Sequence, residues 1–156
     1  MSSTTQSVPD STIAPLPSLA TCTVAVIGLG YVGLPLSVVF STPGACVRTG
    51  TPLRRRVIGF DINQQRLSEL SAGLDSTNET SSEELEAATM LEFTSDPTDL
   101  AVADVFVVTV PTPVDSAKRP DLTPLKKASE TVGLALKQRF EEQGSTAKIS
   151  SLPLVI

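Results

Sequence analysis

Apolar residues in this chain fall into short unbroken runs, separated by longer stretches where they recur every three or four positions. Thr23 to Ile27 is β-branched and small apolar throughout, the composition of a parallel strand buried on both faces. The residues after the glycines that follow suit a helix to about Phe40. Pro35 falls in its first turn, where a missing N–H has no intrahelical partner to lose. Val57 to Phe60 predicts a second strand. Leu67 and Leu70 then give a second helix its apolar face, and Gly73 ends it. Ser81 with Glu84 has the spacing of a capping box opening a short helix through Thr89. Leu91 to Thr94 predicts a third strand, Asp96 or Asp99 the start of a brief helix, and Val105 to Val110 a fourth strand of the buried parallel type. Thr123 as N-cap and Pro124 at the first position open a long helix with Leu125, Ala128, Val132, Leu136 and Phe140 on its core face. Leu152 to Ile156 begins a fifth strand. Strands alternating with helices at this spacing predict an α/β fold: a doubly wound parallel sheet with right-handed crossovers, left incomplete on one side.

Two polar stretches interrupt the pattern. Residues 1–20 are rich in Ser, Thr and Pro and have neither a basic nor a continuous hydrophobic segment, so a disordered tail is expected and not a signal peptide. The folded domain then runs over 21–156. Residues 41–56, punctuated by Pro and Gly and carrying Arg48, Arg54, Arg55 and Arg56, read as an inserted loop. The last three arginines enter the second strand at its amino end, and four strand residues put them ~13 Å from its carboxyl end. A solvated charge run is expected there, away from any ligand at the carboxyl edge.

The first strand runs into Gly28-Leu29-Gly30-Tyr31-Val32-Gly33, the pattern G-x-G-x-x-G between a strand and a helix. That is a dinucleotide-binding turn of the Rossmann kind. Gly28 lets the strand turn tightly, Gly30 lets the backbone approach a pyrophosphate, and Gly33 lets helix and strand pack closely. The free N–H groups opening the helix, at Tyr31, Val32 and Gly33, then face the phosphates. Asp61 ends the second strand, where a carboxylate accepts hydrogen bonds from both ribose hydroxyls. Its charge disfavours a 2′-phosphate, so the expected cofactor is NAD and not NADP. The insertion stretches the interval from Gly33 to Asp61 beyond the usual ~20 residues. Arg66 either lies along the adenine or is an ordinary solvated helix charge. Thr112, between Pro111 and Pro113 after the fourth strand, offers a hydroxyl and an N–H to a ribose or phosphate, or is a surface residue of a rigid turn.

Composition narrows the chemistry. With 156 residues, 40% apolar and 19% charged, the chain buries one core of ordinary size. A net charge of −5 without a basic helix argues against nucleic acid, and no apolar run reaches the ~18 residues of a membrane helix. Histidine is absent, which removes histidine acid–base catalysis and the commonest zinc ligand sets, so no metal site is expected. Cys22 and Cys46 have neither metal-ligand nor disulfide-framework spacing, which points to a reducing cytoplasm.

Four stretches together carry a family resemblance: Val26 to Leu36, Gly59 to Asn63, Val110 to Asp115, and Pro120 to Leu125. Over about residues 22–137 they resemble the NAD-binding domain of the UDP-glucose/GDP-mannose dehydrogenase family, most of all its bacterial branch acting on UDP-N-acetylhexosamines. The resemblance implies oxidation of C6 of a nucleotide-linked hexose to a carboxylate, with two hydrides passed to NAD through a cysteine-bound thiohemiacetal and thioester. It implies NAD held by Gly28, Gly30, Tyr31, Val32, Gly33, Asp61, Arg66 and Thr112. It also implies a nucleotide-sugar substrate, a downstream substrate domain with the catalytic cysteine, and a homo-oligomer built through that downstream region. None of those downstream parts lies in these 156 residues, so no catalytic residue is expected here and the chain alone is expected to be inactive. The family's Glu-Ser-Thr motif is not reproduced in Glu141 to Ile156, and the 41–56 insertion is foreign to the pattern. A catalytically dead NAD-binding or interaction module is the alternative. A 6-phosphogluconate or 3-hydroxyacid dehydrogenase-like domain shares the glycines, but the Pro-Thr-Pro and Pro-Asp-Leu-Thr-Pro stretches argue against it.

Overall fold

The computed structural model describes residues 16–143 and 153–156. Strands β1 (Val24–Ile27), β4 (Val57–Phe60), β5 (Leu91–Thr94), β6 (Val105–Val108) and β7 (Leu154–Val155) form one parallel sheet in the order β5-β4-β1-β6-β7. Helices α1 (Gly33–Ser41), α2 (Gln64–Ser71), α3 (Ser82–Ala87) and α4 (Thr123–Gln143), with a 3₁₀ helix at Pro97–Val102, connect its strands. Strands β2 (Gly44–Ala45) and β3 (Pro52–Leu53) make a separate antiparallel ribbon.

The unbroken apolar strands behave as buried strands must: their residues alternate between two cores. Ala25 and Ile27 of β1, Ile58 and Phe60 of β4, and Phe106 of β6 pack on one face with Leu100 and Ala103, under Ala128, Val132 and Ala135 of α4. Val24, Val26 and Val57 face the other way, with Phe40 of α1 packed against them. Leu34 and Val38 of α1 meet Leu67 and Leu70 of α2 in a third cluster, which includes Leu29 and packs against Leu91 and Phe93 of β5. α1 approaches the sheet closely because its buried stripe includes Gly33, Ser37 and Ser41. The Ser37 hydroxyl is satisfied within the helix, donating to Gly33 O at 2.7 Å.

Several expectations are corrected. The 41–56 insertion is not a bare loop: Cys46 N donates to Thr51 O across the ribbon, and Gly50, at φ +68°, supplies the left-handed turn residue. The arginines do enter at the amino end of β4, but they are not a free charge run. Arg56 forms a bidentate pair with Glu92, and the Arg55 guanidinium stacks 5.1 Å from the Phe40 ring. On α4, Ala135 is buried, whereas Leu125 and Phe140 are 38% and 43% exposed, so the stripe is narrower than its leucine spacing suggested. Thr123 is the first residue of α4 and not its cap; the Asp121 carboxylate takes the Thr123 N–H from outside. β6 ends at Val108 and not Val110; the next residue, Thr109, donates its hydroxyl to the glycine turn. Asp96, not Asp99, caps the 3₁₀ helix, and the Ser81–Glu84 capping box is present.

Of the tail expected over 1–20, residues 1–15 lie outside the described residues. Ser18 and Ala20 are held to the domain, accepting from Cys22 N and Arg54 N. Most of Glu141 to Ile156, the stretch that does not reproduce the Glu-Ser-Thr motif, also lies outside the described residues. Leu154 and Val155 pair with Val105 and Phe106, so the terminal apolar run is a fifth strand of the main sheet. No helix among the described residues is long and apolar enough to cross a membrane.

Candidate functional site

The carboxyl ends of β1, β4 and β6 converge on the glycine turn. Gly28 N donates to Phe60 O at the end of β4, and Gly28 itself sits at φ +97°. A side chain there would be strained, and its Cβ would crowd Thr109 O at 3.2 Å. At Gly33 the constraint is steric: an added Cβ would stand 1.8 Å from Gly28 O and 2.5 Å from Thr109 Oγ1. Gly30 differs from both, since an added Cβ would meet nothing within 4 Å. Packing does not require glycine at that position, and the open space over it fits a ligand brought against the backbone.

α1 begins immediately beyond. Its N-cap, Val32, provides no side-chain cap, and Tyr31 and Val32 are 71% and 64% exposed. The N–H groups of Tyr31, Val32 and Gly33 have no partner among the described residues and stand at the positive end of the helix dipole, an arrangement suited to a pyrophosphate.

Asp61 follows β4 and reaches back to the turn. Its Oδ2 accepts from Leu29 N at 2.8 Å and its Oδ1 from Asn63 N at 2.9 Å. Each oxygen keeps acceptor capacity for a hydroxyl. Asn63 in turn caps α2, accepting from Gln65 N and Arg66 N. Arg66 loses one of its two readings. It is no solvated charge, because it is 8% exposed, and its guanidinium is engaged by protein groups: Nε donates to Leu29 O at 3.0 Å, and Nη2 lies 2.7 Å from Asp75 Oδ1. Leu29 is thus held on its N–H by Asp61 and on its carbonyl by Arg66.

On the β6 side, Thr109 Oγ1 donates to Gly28 O at 2.8 Å and lies 3.1 Å from Ile27 O. Thr112 is exposed, a few residues further along the same edge. The loop around it is braced by a bridge between Val114 and Pro120, by Asp121 N donating to Pro113 O, and by the Asp115 carboxylate, which accepts from Ala117 N and Arg119 N. Asp61 and Arg66 thus meet at Leu29, and Gly28 is tied to Phe60 and Thr109, with Gly33 packed against it; Gly30, Tyr31 and Val32 border the open space, and Thr112 stands apart on the same edge.

Two residues of this site escaped the sequence reading. Thr109 looked like part of a strand, although a lone hydroxyl residue closing a valine run is a signal in itself. Asp75 looked like part of a polar connection. Its side chain is 1% exposed, and it accepts from Thr77 N, Glu79 N and Thr80 N as well as from Arg66. Burial alone pushes the Asp75 carboxyl up, but the hydrogen bonds from Thr77, Arg66 and Glu79 outweigh it and hold it well below the usual carboxylate range.

Comparisons with known proteins agree with this geometry. The sequence model described as "UDP-glucose/GDP-mannose dehydrogenase family, NAD binding domain" matches residues 22–142. A UDP-N-acetyl-D-glucosamine 6-dehydrogenase of Pseudomonas aeruginosa is 53% identical over 115 residues, covering 74% of this chain and 25% of that protein. Protein CapL of Staphylococcus aureus is 47% identical over 110 residues, 70% of this chain and 23% of that protein. Among solved structures, a UDP-D-ManNAc dehydrogenase from Pyrococcus horikoshii superposes with a TM-score of 0.62 at 29% identity, over 73% of this chain and 26% of that one. The chain spans about a quarter of the length of the curated relatives it matches. With its glycine turn, strand-end carboxylate and parallel sheet in place, the chain belongs to the UDP-glucose/GDP-mannose dehydrogenase family, and what it carries is that family's NAD-binding domain.

Proposed function

We propose that this chain is the cofactor-binding part of a cytoplasmic NAD-dependent nucleotide-sugar 6-dehydrogenase acting on a UDP-N-acetylhexosamine, and that alone it binds NAD without oxidising the sugar. The observation that carries the reading is Asp61: it stands at the end of β4 beside the open space over Gly30, bonded to the Leu29 N–H and with acceptor capacity to spare. NAD, when bound, supplies the hydride acceptor. The chain's own groups would hold it: the N–H groups of Tyr31, Val32 and Gly33 the pyrophosphate, Asp61 the adenosine ribose, and Thr112 a more distant hydroxyl or phosphate. The preference for a UDP-N-acetylhexosamine rests on the relatives' names, above all the 53% identical 6-dehydrogenase of Pseudomonas aeruginosa.

Isothermal titration of the chain with NAD and with NADP tests the cofactor assignment. NAD should bind more tightly, and Asp61→Ala should cost ~1–3 kcal/mol of that affinity, the scale of charge-assisted hydrogen bonds. Equal affinity for both cofactors in the unmutated chain would overturn the role given to Asp61.

A further inference from the structure

The geometry points to Asp75 as a positioning residue for the adenosine end of the cofactor site: through Arg66 it fixes the Leu29 main chain, and with it the Asp61 carboxylate. This rests on the NAD reading above. The connection runs through named atoms. Arg66 uses every nitrogen of its fork, with Nε on Leu29 O, Nη1 on Ser76 Oγ at 3.2 Å, and Nη2 on both Asp75 Oδ1 and Thr77 Oγ1. Leu29 N is then 2.8 Å from Asp61 Oδ2.

Asp75 is itself immobilised. Oδ1 accepts from Thr77 N at 2.9 Å and Thr77 Oγ1 at 2.6 Å, and Oδ2 from Glu79 N at 2.9 Å and Thr80 N at 3.0 Å. A carboxylate with this many donors has one orientation. It orders the segment after α2 and offers a fixed anion to a guanidinium that would otherwise swing into water. Both side chains are removed from solvent, 9% and 1% exposed, so little screening weakens the pair. The residue between the two anchors, Leu29, has its side chain locked at 0% exposure in the α1–α2 core. Its main chain thus has little freedom except through the two polar bonds, and Arg66 controls one of them.

A double-mutant cycle on the full chain tests this, with NAD affinity as the readout and thermal unfolding as the check of the fold. Asp75→Asn keeps the shape and part of the acceptor capacity but removes the charge. It should weaken NAD binding about tenfold in the unmutated background and less than about threefold when Asp61 is already Asn, because the effect passes through Asp61. Arg66→Lys keeps a positive charge but not the fork, and should reproduce the loss. It also carries the test if Asp75→Asn fails to fold. A merely structural role predicts losses that add in the two backgrounds, and that additivity would overturn the proposal. So would affinities within about twofold of the unmutated chain in both folded variants. Failure of the unmutated chain to bind NAD would instead remove the NAD reading itself, and this inference with it.

Discussion

A Cβ on Gly33 would lie 1.8 Å from the carbonyl oxygen of Gly28, so the helix begins too close to the glycine turn for any side chain at that position. Gly30, three residues earlier, has open space where its side chain would be. The two glycines are therefore required for different reasons, and substitution separates them. Gly33→Ala should destabilise the fold by at least ~1–3 kcal/mol, the range of overpacking, because the obstacle is backbone and cannot rotate away. Gly30→Ala should leave the melting temperature nearly unchanged and still weaken NAD binding, since its methyl group would occupy the space meant for the ligand. Thermal unfolding and calorimetric titration of both variants check this. Unchanged NAD affinity in Gly30→Ala would show that the pyrophosphate lies elsewhere.

How far the fold was legible in the sequence depended on the range of the interactions that decide each element. The parallel strands announced themselves because a strand buried on both faces has no polar positions, as Val24 to Ile27 shows. The glycine turn and Asp61 were legible because their chemistry is local to strand ends. Arg66 was legible only in part: it stands one helical turn before Leu70, on the edge of the apolar face of α2, but its partner Asp75 lies in the segment after the helix, where helical spacing does not reach. The ribbon at Gly44–Leu53 was missed for a related reason, since two-residue strands leave no periodicity to read. On α4, Ala128 and Val132 were read correctly as core, but the buried Ala135 was not, because an alanine on a helix carries no apolar signal as strong as a leucine's.

The Asp75 carboxyl sets a stability limit on the acid side. Its folded pKa is depressed below the unfolded value of about 3.9, so its contribution is fully present above that value and is lost as pH falls below it. The unmutated chain should lose stability more steeply on acidification below about pH 4 than Asp75→Asn, which has no proton to take up there. Denaturant midpoints across the acid range measure the difference, and parallel curves would mean that Asp75 contributes no linked stabilisation.

The β2–β3 ribbon should be dispensable for cofactor binding, because it lies at the amino end of the sheet, tied to Ala20 through Arg54 N. Replacing residues 44–53 with a short turn, while keeping Arg55 on Phe40 and Arg56 on Glu92, should leave NAD affinity within about threefold. A larger loss in a variant with intact circular dichroism would show that the ribbon reaches the site.

These 156 residues should not oxidise a UDP-sugar, because the thioester chemistry that the family resemblance implies needs a thiolate beside the sugar C6, and neither cysteine meets that need. Cys22 is 5% exposed in the core at the amino end of β1, where burial pushes its thiol up and away from the thiolate form. The residues between it and Gly28 span ~16 Å of extended chain, so it cannot reach the carboxyl edge. Cys46 has the more reactive thiol, since hydrogen bonds from Thr49 lower its pKa, but it stands on the ribbon side, next to Ala45 of β2. NADH formation at 340 nm, followed with UDP-glucose, UDP-N-acetylglucosamine and UDP-N-acetylgalactosamine, should stay at background in the unmutated chain and in Cys22→Ser and Cys46→Ser. Turnover that disappears with either serine variant would place a working nucleophile at the wrong end of the sheet for this site, and the active centre would have to be sought around that cysteine instead.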